Sequence, residues 1–284
     1  MAYTTINKSS DYFNTKLYTG NGSTNAITGV GFQPDWVWVK NRDIGTDAPT
    51  IYDAVRGATK RLQTSSTGAE STKTNGLTVF GSDGYTAGSA SAINANGSNI
   101  ASWNWLANGA GSANTDGSIS STVSANTTSG FSIVSFTGTG SASTIGHGLN
   151  AVPKMYIVKN RSTASTQWRV YHASLGATKH MALDATQAVG TASSVFNNTE
   201  PTSSVFSVGT DDAANKSGDS LIAYCFAEKQ GFSKFGSYVG NGSTDGTFVY
   251  TGFKPAFVMF KGNNTSDWQL WDNKRDTFNP VEKA

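Results

Sequence analysis

Cysteine is nearly absent from this 284-residue chain, in which Cys225 is the single example. A disulfide framework and a cysteine-based metal site are therefore excluded. Charge is also scarce, since charged residues make up 14% of the chain against about 25% in an average soluble protein. The net charge of +2 is accompanied by no run of Lys or Arg, so the chain lacks the basic stripe of a nucleic-acid-binding protein and we expect no nucleic-acid partner.

Long hydrophobic runs are missing as well. No apolar stretch approaches the ~20 residues that a membrane-spanning helix needs, so membrane insertion is not expected. Residues 1–8 contain no apolar core of the kind that secretory signals carry. We therefore expect the protein to be made in a cytoplasm without a signal peptide.

What the chain does contain is a repeat. A segment with a proline, an apolar run and a lysine occurs three times, with other pieces in the same order around the first two copies. The copies are residues 31–42 (Gly-Phe-Gln-Pro-Asp-Trp-Val-Trp-Val-Lys-Asn-Arg), 149–161 (Leu-Asn-Ala-Val-Pro-Lys-Met-Tyr-Ile-Val-Lys-Asn-Arg) and 252–261 (Gly-Phe-Lys-Pro-Ala-Phe-Val-Met-Phe-Lys). A period of roughly 100 residues indicates tandem domains and not a solenoid of small units.

The composition of the repeats predicts strands and turns. Glycine is abundant at 31 residues, and Asn-Gly pairs, which favour tight turns, recur along the chain. The apolar runs are short and rich in β-branched and aromatic residues, as strands are. We predict an all-β protein of tandem β-sandwich modules of the jelly-roll or lectin-like kind.

The predicted organisation has four parts. Residues 1–11 precede the repeat and form an N-terminal docking arm, and residues 107–129 are an extended connector rich in Gly, Ser and Thr. The first repeat spans residues 12–129 with that connector, the second spans 130–235 and the third spans 236–284. The third repeat is incomplete and half a unit cannot bury its apolar strand, so we expect that the natural chain continues or that another subunit completes the fold.

A search for catalytic and metal-binding patterns gives little. His147, His172 and His180 all fall in the second repeat without counterparts in the first, and no pair of carboxylates recurs between repeats as a glycosidase pair would. Acidic residues near one strand end suggest calcium ligands or solvated loop carboxylates, and we favour the second interpretation; they are Asp35, Asp43 and Asp47. We predict no enzyme activity, no cofactor and no metal site.

The basic residues that end the proline-containing strand are the candidate ligand or subunit contacts. They are Lys40 and Arg42 in the first repeat and Lys159 and Arg161 in the second. One interpretation gives them a glycan or a neighbouring subunit as partner. The other, which we favour from the sequence, makes them charges that protect a sheet edge from aggregation.

Tryptophan pairs at alternate positions offer a second ambiguity. Trp36 with Trp38, and Trp103 with Trp105, each place two indoles on one face of a strand. Such a pair serves as a sugar-stacking platform or as core. The counterparts in the second repeat are apolar but would not stack on sugars as a set, which favours core.

The proline-containing segment occurs together with Tyr-Thr-Gly-Asn-Gly (residues 18–22), Tyr-His-Ala-Ser-Leu-Gly-Ala-Thr-Lys (171–179), Ser-Val-Phe-Ser-Val-Gly-Thr (204–210) and Ile-Ala-Tyr-Cys-Phe-Ala-Glu (222–228). This combination resembles the repeat modules of bacteriophage virion proteins, which are widespread among phages of marine bacteria, including cyanophages and pelagiphages. The resemblance covers nearly the whole sequence. It implies a structural or tail-fibre-like protein located in the virion, with no catalytic residues to carry over.

From the resemblance and the repeats we predict a virion structural protein in a tail fibre or similar appendage that mediates attachment to the host surface. Its partners would be other virion proteins, bound through residues 1–11, further copies of itself in a trimer, and a host glycan or protein. Two alternatives stay open, a purely architectural or head-decoration protein and a tail-associated glycan-degrading enzyme.

Overall fold

The computed structural model describes residues 3–275, and over this range the protein is nearly all β. Helical structure is confined to single turns, which are the 3-10 helix Ser9–Asp11 and the α-helices α1 (Ser91–Asn94), α2 (Ser193–Phe196) and α3 (Asp212–Asn215). The predicted all-β class is confirmed.

Two large antiparallel sheets dominate the fold. In spatial order, the first large sheet contains β1 (Phe13–Thr19), β9 (Asn99–Trp105), β3 (Trp36–Asn41), β4 (Thr50–Asp53), β5 (Lys60–Gln63) and β6 (Ser71–Thr72). The second contains β10 (Ser112–Asn114), β11 (Ser121–Asn126), β12 (Phe131–Thr137), β19 (Ser220–Ala227), β14 (Pro153–Asn160), β15 (Arg169–His172), β16 (Lys179–Ala182) and β17 (Gly190–Thr191). From β12 to β17 the second sheet repeats the arrangement of the first, so that β12, β19 and β14 correspond to β1, β9 and β3.

Smaller sheets cover the outer faces. The first small sheet contains β2 (Asn25–Thr28), β8 (Gly84–Ala87) and β7 (Leu77–Gly81), and the second contains β13 (Ser143–Gly146) and β18 (Val205–Val208). A separate terminal strand pair is formed by β20 (Phe257–Phe260) and β21 (Gln269–Asp272).

The sheets stack in layers with three hydrophobic cores between them. The central core lies between the two large sheets and the terminal strand pair, and each outer core lies between a large sheet and its small sheet. Strand β3 explains this arrangement, because Trp36 and Trp38 point into the central core whereas Val37 and Val39 point into an outer one. A strand covered on both faces is apolar at every position, in contrast to the alternation of a half-exposed strand.

The tryptophans are core residues, as predicted. Trp36, Trp38 and Trp103 are each at most 5% exposed and belong to the central core, with Trp105 packed at its edge. Trp36 stacks on Tyr224 of the second large sheet at a centroid distance of 4.8 Å. The core interpretation is confirmed over the sugar platform.

Residues 107–129 differ from the predicted connector. They contain β10 and β11, and β11 pairs along its length with β12, from Ser121 opposite Phe136 to Asn126 opposite Phe131. The segment therefore extends the second large sheet, although it was assigned to the first repeat.

The described part of the predicted arm packs on the rest of the protein. Ile6 is 6% exposed, and the Tyr3 hydroxyl donates to the carbonyl of Gly252 over 3.1 Å. Residues 1 and 2 of the predicted arm, and residues 276–284 of the predicted third repeat, lie outside the described residues.

Cys225 occupies the middle of β19, where both neighbouring strands are paired. Its side chain is fully buried in one of the outer cores. Burial raises the pKa of the thiol far above its ordinary value, so it stays protonated. Cys225 is therefore a core side chain within a sheet.

Candidate functional site

Lys159 and Arg161 lie where β14 ends and the chain turns. Asn160 between them is buried, and its side-chain oxygen accepts hydrogen bonds from the backbone N–H groups of Ser162 (2.9 Å) and Thr163 (3.0 Å). This is an Asx-type turn, in which the amide side chain replaces a backbone partner. The turn holds the two cations against the first repeat.

Lys159 is buried completely and is used within the protein. Its ammonium donates to the backbone carbonyl oxygen of Thr166 and, over 3.2 Å, to that of Thr67 in the first repeat. Burial lowers the pKa of Lys159 to about 8, because the charged form loses its hydration.

Arg161 forms a two-pronged ion pair with Glu70 of the first repeat. The Nε–Oε2 and Nη2–Oε1 distances are 2.9 and 3.0 Å, and the Glu70 backbone N–H donates to the Arg161 carbonyl over 2.9 Å. Glu70 also accepts a hydrogen bond from Arg56 over 3.1 Å. Burial acts to raise the pKa of Glu70, but the two arginines outweigh it and hold the pKa below its usual value.

A fully buried ion pair continues this contact into the central core. Asp53 and Arg56 have no exposed side-chain surface and are hydrogen-bonded to each other. The hydroxyl of Tyr224, from the second large sheet, donates to Asp53 over 2.7 Å. Burial raises the pKa of Tyr224 well above its usual value, so the hydroxyl stays protonated and donates.

Lys40 and Arg42 are placed differently from their counterparts. The Lys40 ammonium donates to the carbonyl oxygens of Asp47 (2.6 Å) and Ile44 (3.4 Å), both in its own loop. The Arg42 side chain is exposed, and within residues 3–275 it has no hydrogen-bond or ion-pair partner. The structure thus brings Lys159 and Arg161 into a contact between repeats and leaves Lys40 and Arg42 outside one.

The third repeat carries a lysine in the same role as Lys159. Lys261 donates to the carbonyl of Ser266 in its own loop and, over 3.2 Å, to that of Thr186 in the second repeat. Close by, the Trp268 indole N–H donates to the Ala182 carbonyl over 2.8 Å.

The buried ion pair also has a counterpart in the third repeat. Asp272 and Arg275 are hydrogen-bonded to each other, and the Trp103 indole N–H donates to Asp272 over 3.1 Å. The guanidinium carbon of Arg275 lies 5.1 Å from the centre of the Trp103 ring, which is within the range of a cation–π contact.

The Asp53–Arg56 and Asp272–Arg275 pairs were not identified as sites from the sequence. The sequence did carry a signal, since an Asp followed three residues later by an Arg occurs after the proline-containing strand in both the first and the third repeat. Such spacing has many causes in loops, and the burial of the pair depends on a facing sheet that the local sequence does not specify.

The three aspartates weighed as calcium ligands each serve a separate hydrogen bond. Asp35 accepts from the Ala107 N–H (2.7 Å), Asp43 from the Asn99 N–H (2.7 Å) and Asp47 from the Ser91 hydroxyl (2.8 Å). Asp35 is 1% exposed, so the interpretation as a solvated carboxylate is wrong for this residue. Among residues 3–275 no group of three or more His, Cys, Asp or Glu side chains is arranged to hold a metal ion.

Comparison with known proteins identifies a family. A family model described as a domain of unknown function (DUF7483) matches residues 8–284. No curated protein and no solved structure matches the chain. In the part of the chain that the structure describes, no helix is long and apolar enough to span a bilayer.

Proposed function

We propose that this chain, which belongs to the DUF7483 family of domains of unknown function, is a structural protein of a bacteriophage virion. Within the virion we place it in a tail fibre or similar appendage that attaches to the host surface. The proposal includes docking to other virion proteins through residues 1–11 and self-association as a homotrimer. It rests on the resemblance of the repeated motifs and on the way the repeats are joined.

The observation that carries the proposal is the shared burial of the repeats. Trp36 of the first repeat stacks on Tyr224 of the second in the central core, and Arg161 of the second pairs with Glu70 of the first. Contacts of this kind favour a stiff body with little motion between units. Such a body suits an extended virion part that presents loops at the ends of its sheets.

Attachment through several equivalent loops would act by avidity. Repeated modules, and further copies in an oligomer, offer the same loop several times, and linked weak sites can gain on the order of 10²–10⁴ in affinity. The host partner in this proposal is a surface glycan or protein.

The experiment that tests the proposal is immunogold electron microscopy of intact virions with antibody raised against residues 130–235. Gold on the tail appendages is the expected result. Gold on the head would contradict the assignment to an appendage and would still support the assignment to the virion. Protein found only in the lysate, with no gold on well-preserved virions, would overturn the virion assignment.

A specific observation favours a second candidate, a purely architectural protein. Lys159 and Arg161, the candidate ligand contacts of the second repeat, are used inside the molecule. Binding of purified protein to host cells separates the two candidates. Saturable binding supports attachment, no binding supports the architectural role, and release of sugar from the host envelope contradicts both.

A further inference from the structure

The contact that joins the second repeat to the first recurs between the third and the second. In each case a lysine and a tryptophan donate to backbone carbonyls of the preceding repeat, and a backbone N–H of the preceding repeat donates back. The equivalent pairs are Lys159–Thr67 and Lys261–Thr186, Trp168–Gln63 and Trp268–Ala182, and Arg161–Glu70 and Asn263–Val189.

The aromatic contacts between the second repeat and the first recur between the first repeat and the third. Tyr224 of the second repeat donates to Asp53 of the first, and Trp103 of the first donates to Asp272 of the third. The ring contacts match as well. Trp36 contacts Phe131, Tyr224 and Phe226, and Phe257 contacts the corresponding Phe13, Trp103 and Trp105.

Taken together, these contacts link the three repeats in a closed ring, with the same sense of contact at each step. The second repeat contacts the first, the third contacts the second, and the first contacts the third in the same sense. A contact that closes after three equal steps describes rotation about a threefold axis, as in a cyclic trimer. The three repeats of one chain therefore surround a common approximate threefold axis.

Within the residues that the structure describes, the third repeat has no strand equivalent to β9 and β19. In the first large sheet β9 pairs with both β1 and β3, and in the second β19 pairs with both β12 and β14. Within residues 3–275, β20 pairs with β21 alone. Its inner residues Phe257 and Met259 continue the central core, whereas Val258 and Phe260 are 40% and 36% exposed.

Within residues 3–275, Lys40 and Arg42 of the first repeat make no contact with a neighbouring repeat, since Lys40 donates only within its own loop. By the rotation that relates the repeats, Lys40 and Arg42 correspond to Lys159 and Arg161. Those residues meet a carbonyl oxygen and the Glu70 carboxylate of the preceding repeat. The repeat that precedes the first in the ring is the third.

We propose that the open edge of β20 is a docking site for an antiparallel strand with aromatic side chains at alternate positions. The occupant is a strand equivalent to β9 and β19. Its aromatic residues stand opposite Phe257 and Met259, as Trp105 and Trp103 stand opposite Trp36 and Trp38.

His172 determines which aromatic residue the docked strand should carry opposite Met259. The strand residue opposite Met259 reaches the second repeat at His172, which holds the position of Asp53 and Asp272 in the other repeats. The His172 Nδ1 accepts a hydrogen bond from the Ser174 N–H over 3.1 Å, which leaves Nε2–H as a donor. A tyrosine hydroxyl can accept that hydrogen bond and an indole N–H cannot. The site therefore selects Tyr over Trp, in contrast to the aspartates, which accept from both.

Peptides test this proposal with the 284-residue protein. The first is the sequence of β19 with its cysteine replaced by serine, Ser-Leu-Ile-Ala-Tyr-Ser-Phe-Ala. The second has Trp in place of Tyr, and the third has Pro in place of the alanine before Tyr, because proline cannot join a strand ladder. Fluorescence anisotropy measures binding, and amide hydrogen exchange locates it.

The Tyr peptide should protect the amides of residues 257–260 and bind on the order of 10-fold tighter than the Trp peptide, with no binding by the Pro peptide. His172→Asp should abolish the preference for Tyr; should this variant fail to fold, the wild-type preference and the exchange map decide. The proposal is overturned if residues 257–260 gain no protection at about 1 mM Tyr peptide, or if the Pro peptide binds equally. It is also overturned if those amides become protected by self-association at high protein concentration that the peptide does not reverse, since the occupant is then a second copy.

Discussion

At the scale of single residues, the recurrent Lys-Asn-Arg could be recognised from the sequence but its use could not. The two copies are identical in sequence. Lys159 is nevertheless buried against Thr67, whereas Lys40 donates only within its own loop. What differs is the surface that each copy faces, and that surface belongs to residues far away in the chain.

Removing the Glu70 carboxylate tests the ion pair between repeats. Glu70→Gln removes the anion that pairs with Arg161 and leaves Arg56 with Asp53 alone, and we expect the free energy of unfolding to fall by about 1–3 kcal/mol. Because the pKa of Glu70 is lowered in the folded protein, its contribution exists at neutral pH and is lost as the pH falls through that pKa. Urea unfolding of both proteins between pH 7 and the acid limit measures this.

The matched control is Glu228→Gln, which removes an exposed ion pair with Lys234. Exposed pairs contribute about 0–1 kcal/mol, so this variant should stay close to wild type. Equal stability losses in the two variants would contradict a special role for Glu70.

Lys159 should leave a signature at alkaline pH. Its pKa of about 8 lies below the ordinary value of about 10.4, so between these values the unfolded chain binds a proton that the folded protein does not. Stability from this group therefore rises as the pH increases from 8 towards 10. Lys159→Met should remove the rise, whereas the exposed Lys179→Met should keep it, in urea unfolding at a series of pH values.

At the scale of elements, the sequence predicted strands well and their partners poorly. The run Trp36–Val39 was assigned correctly as a strand, but its cover on both faces was found only in the structure. For residues 107–129 the sequence did not indicate the strand that the structure contains. Their Gly, Ser and Thr content predicted a connector, yet pairing with β12 makes β11 a strand, because a ladder of backbone hydrogen bonds overrides weak local preference.

The hairpin of β7 and β8 depends on one glycine. Gly84 has a φ of +143°, and a Cβ added there would lie 1.9 Å from the carbonyl oxygen of Ile27 on the adjacent strand. Gly84→Ala should lower the free energy of unfolding by more than about 2 kcal/mol, since backbone has to move. Gly45→Ala is the control, because an added Cβ meets nothing within 4 Å; a thermal melt in which both variants match wild type would contradict this account.

At the scale of the whole molecule, the repeats share a hydrophobic core and are not separate domains. The tandem pattern alone is compatible with separate domains, and the strand pattern shows which faces are apolar without showing what covers them. The central core is made by both large sheets together. The terminal strand pair also packs against this core.

Shared burial predicts a shared loss of stability. Trp36→Ala removes a side chain that is 1% exposed and contacts both large sheets, and should cost about 3–5 kcal/mol. Hydrogen exchange should speed up in β12 and β19 as much as in β3. The control Val79→Ala changes a side chain that is 51% exposed and should leave both sheets unaffected. Faster exchange confined to the first large sheet would mean that the sheets unfold independently.

The buried position of Cys225 makes the rate of thiol labelling a measure of how often the protein opens. A maleimide dye has one thiol to attack in this chain, and that thiol lies in a central strand beneath a covering layer. Dye attachment therefore waits for the second large sheet to open. The rate of labelling in native buffer counts opening events directly, without denaturant, and its half-time reads out how long the assembled layers stay closed.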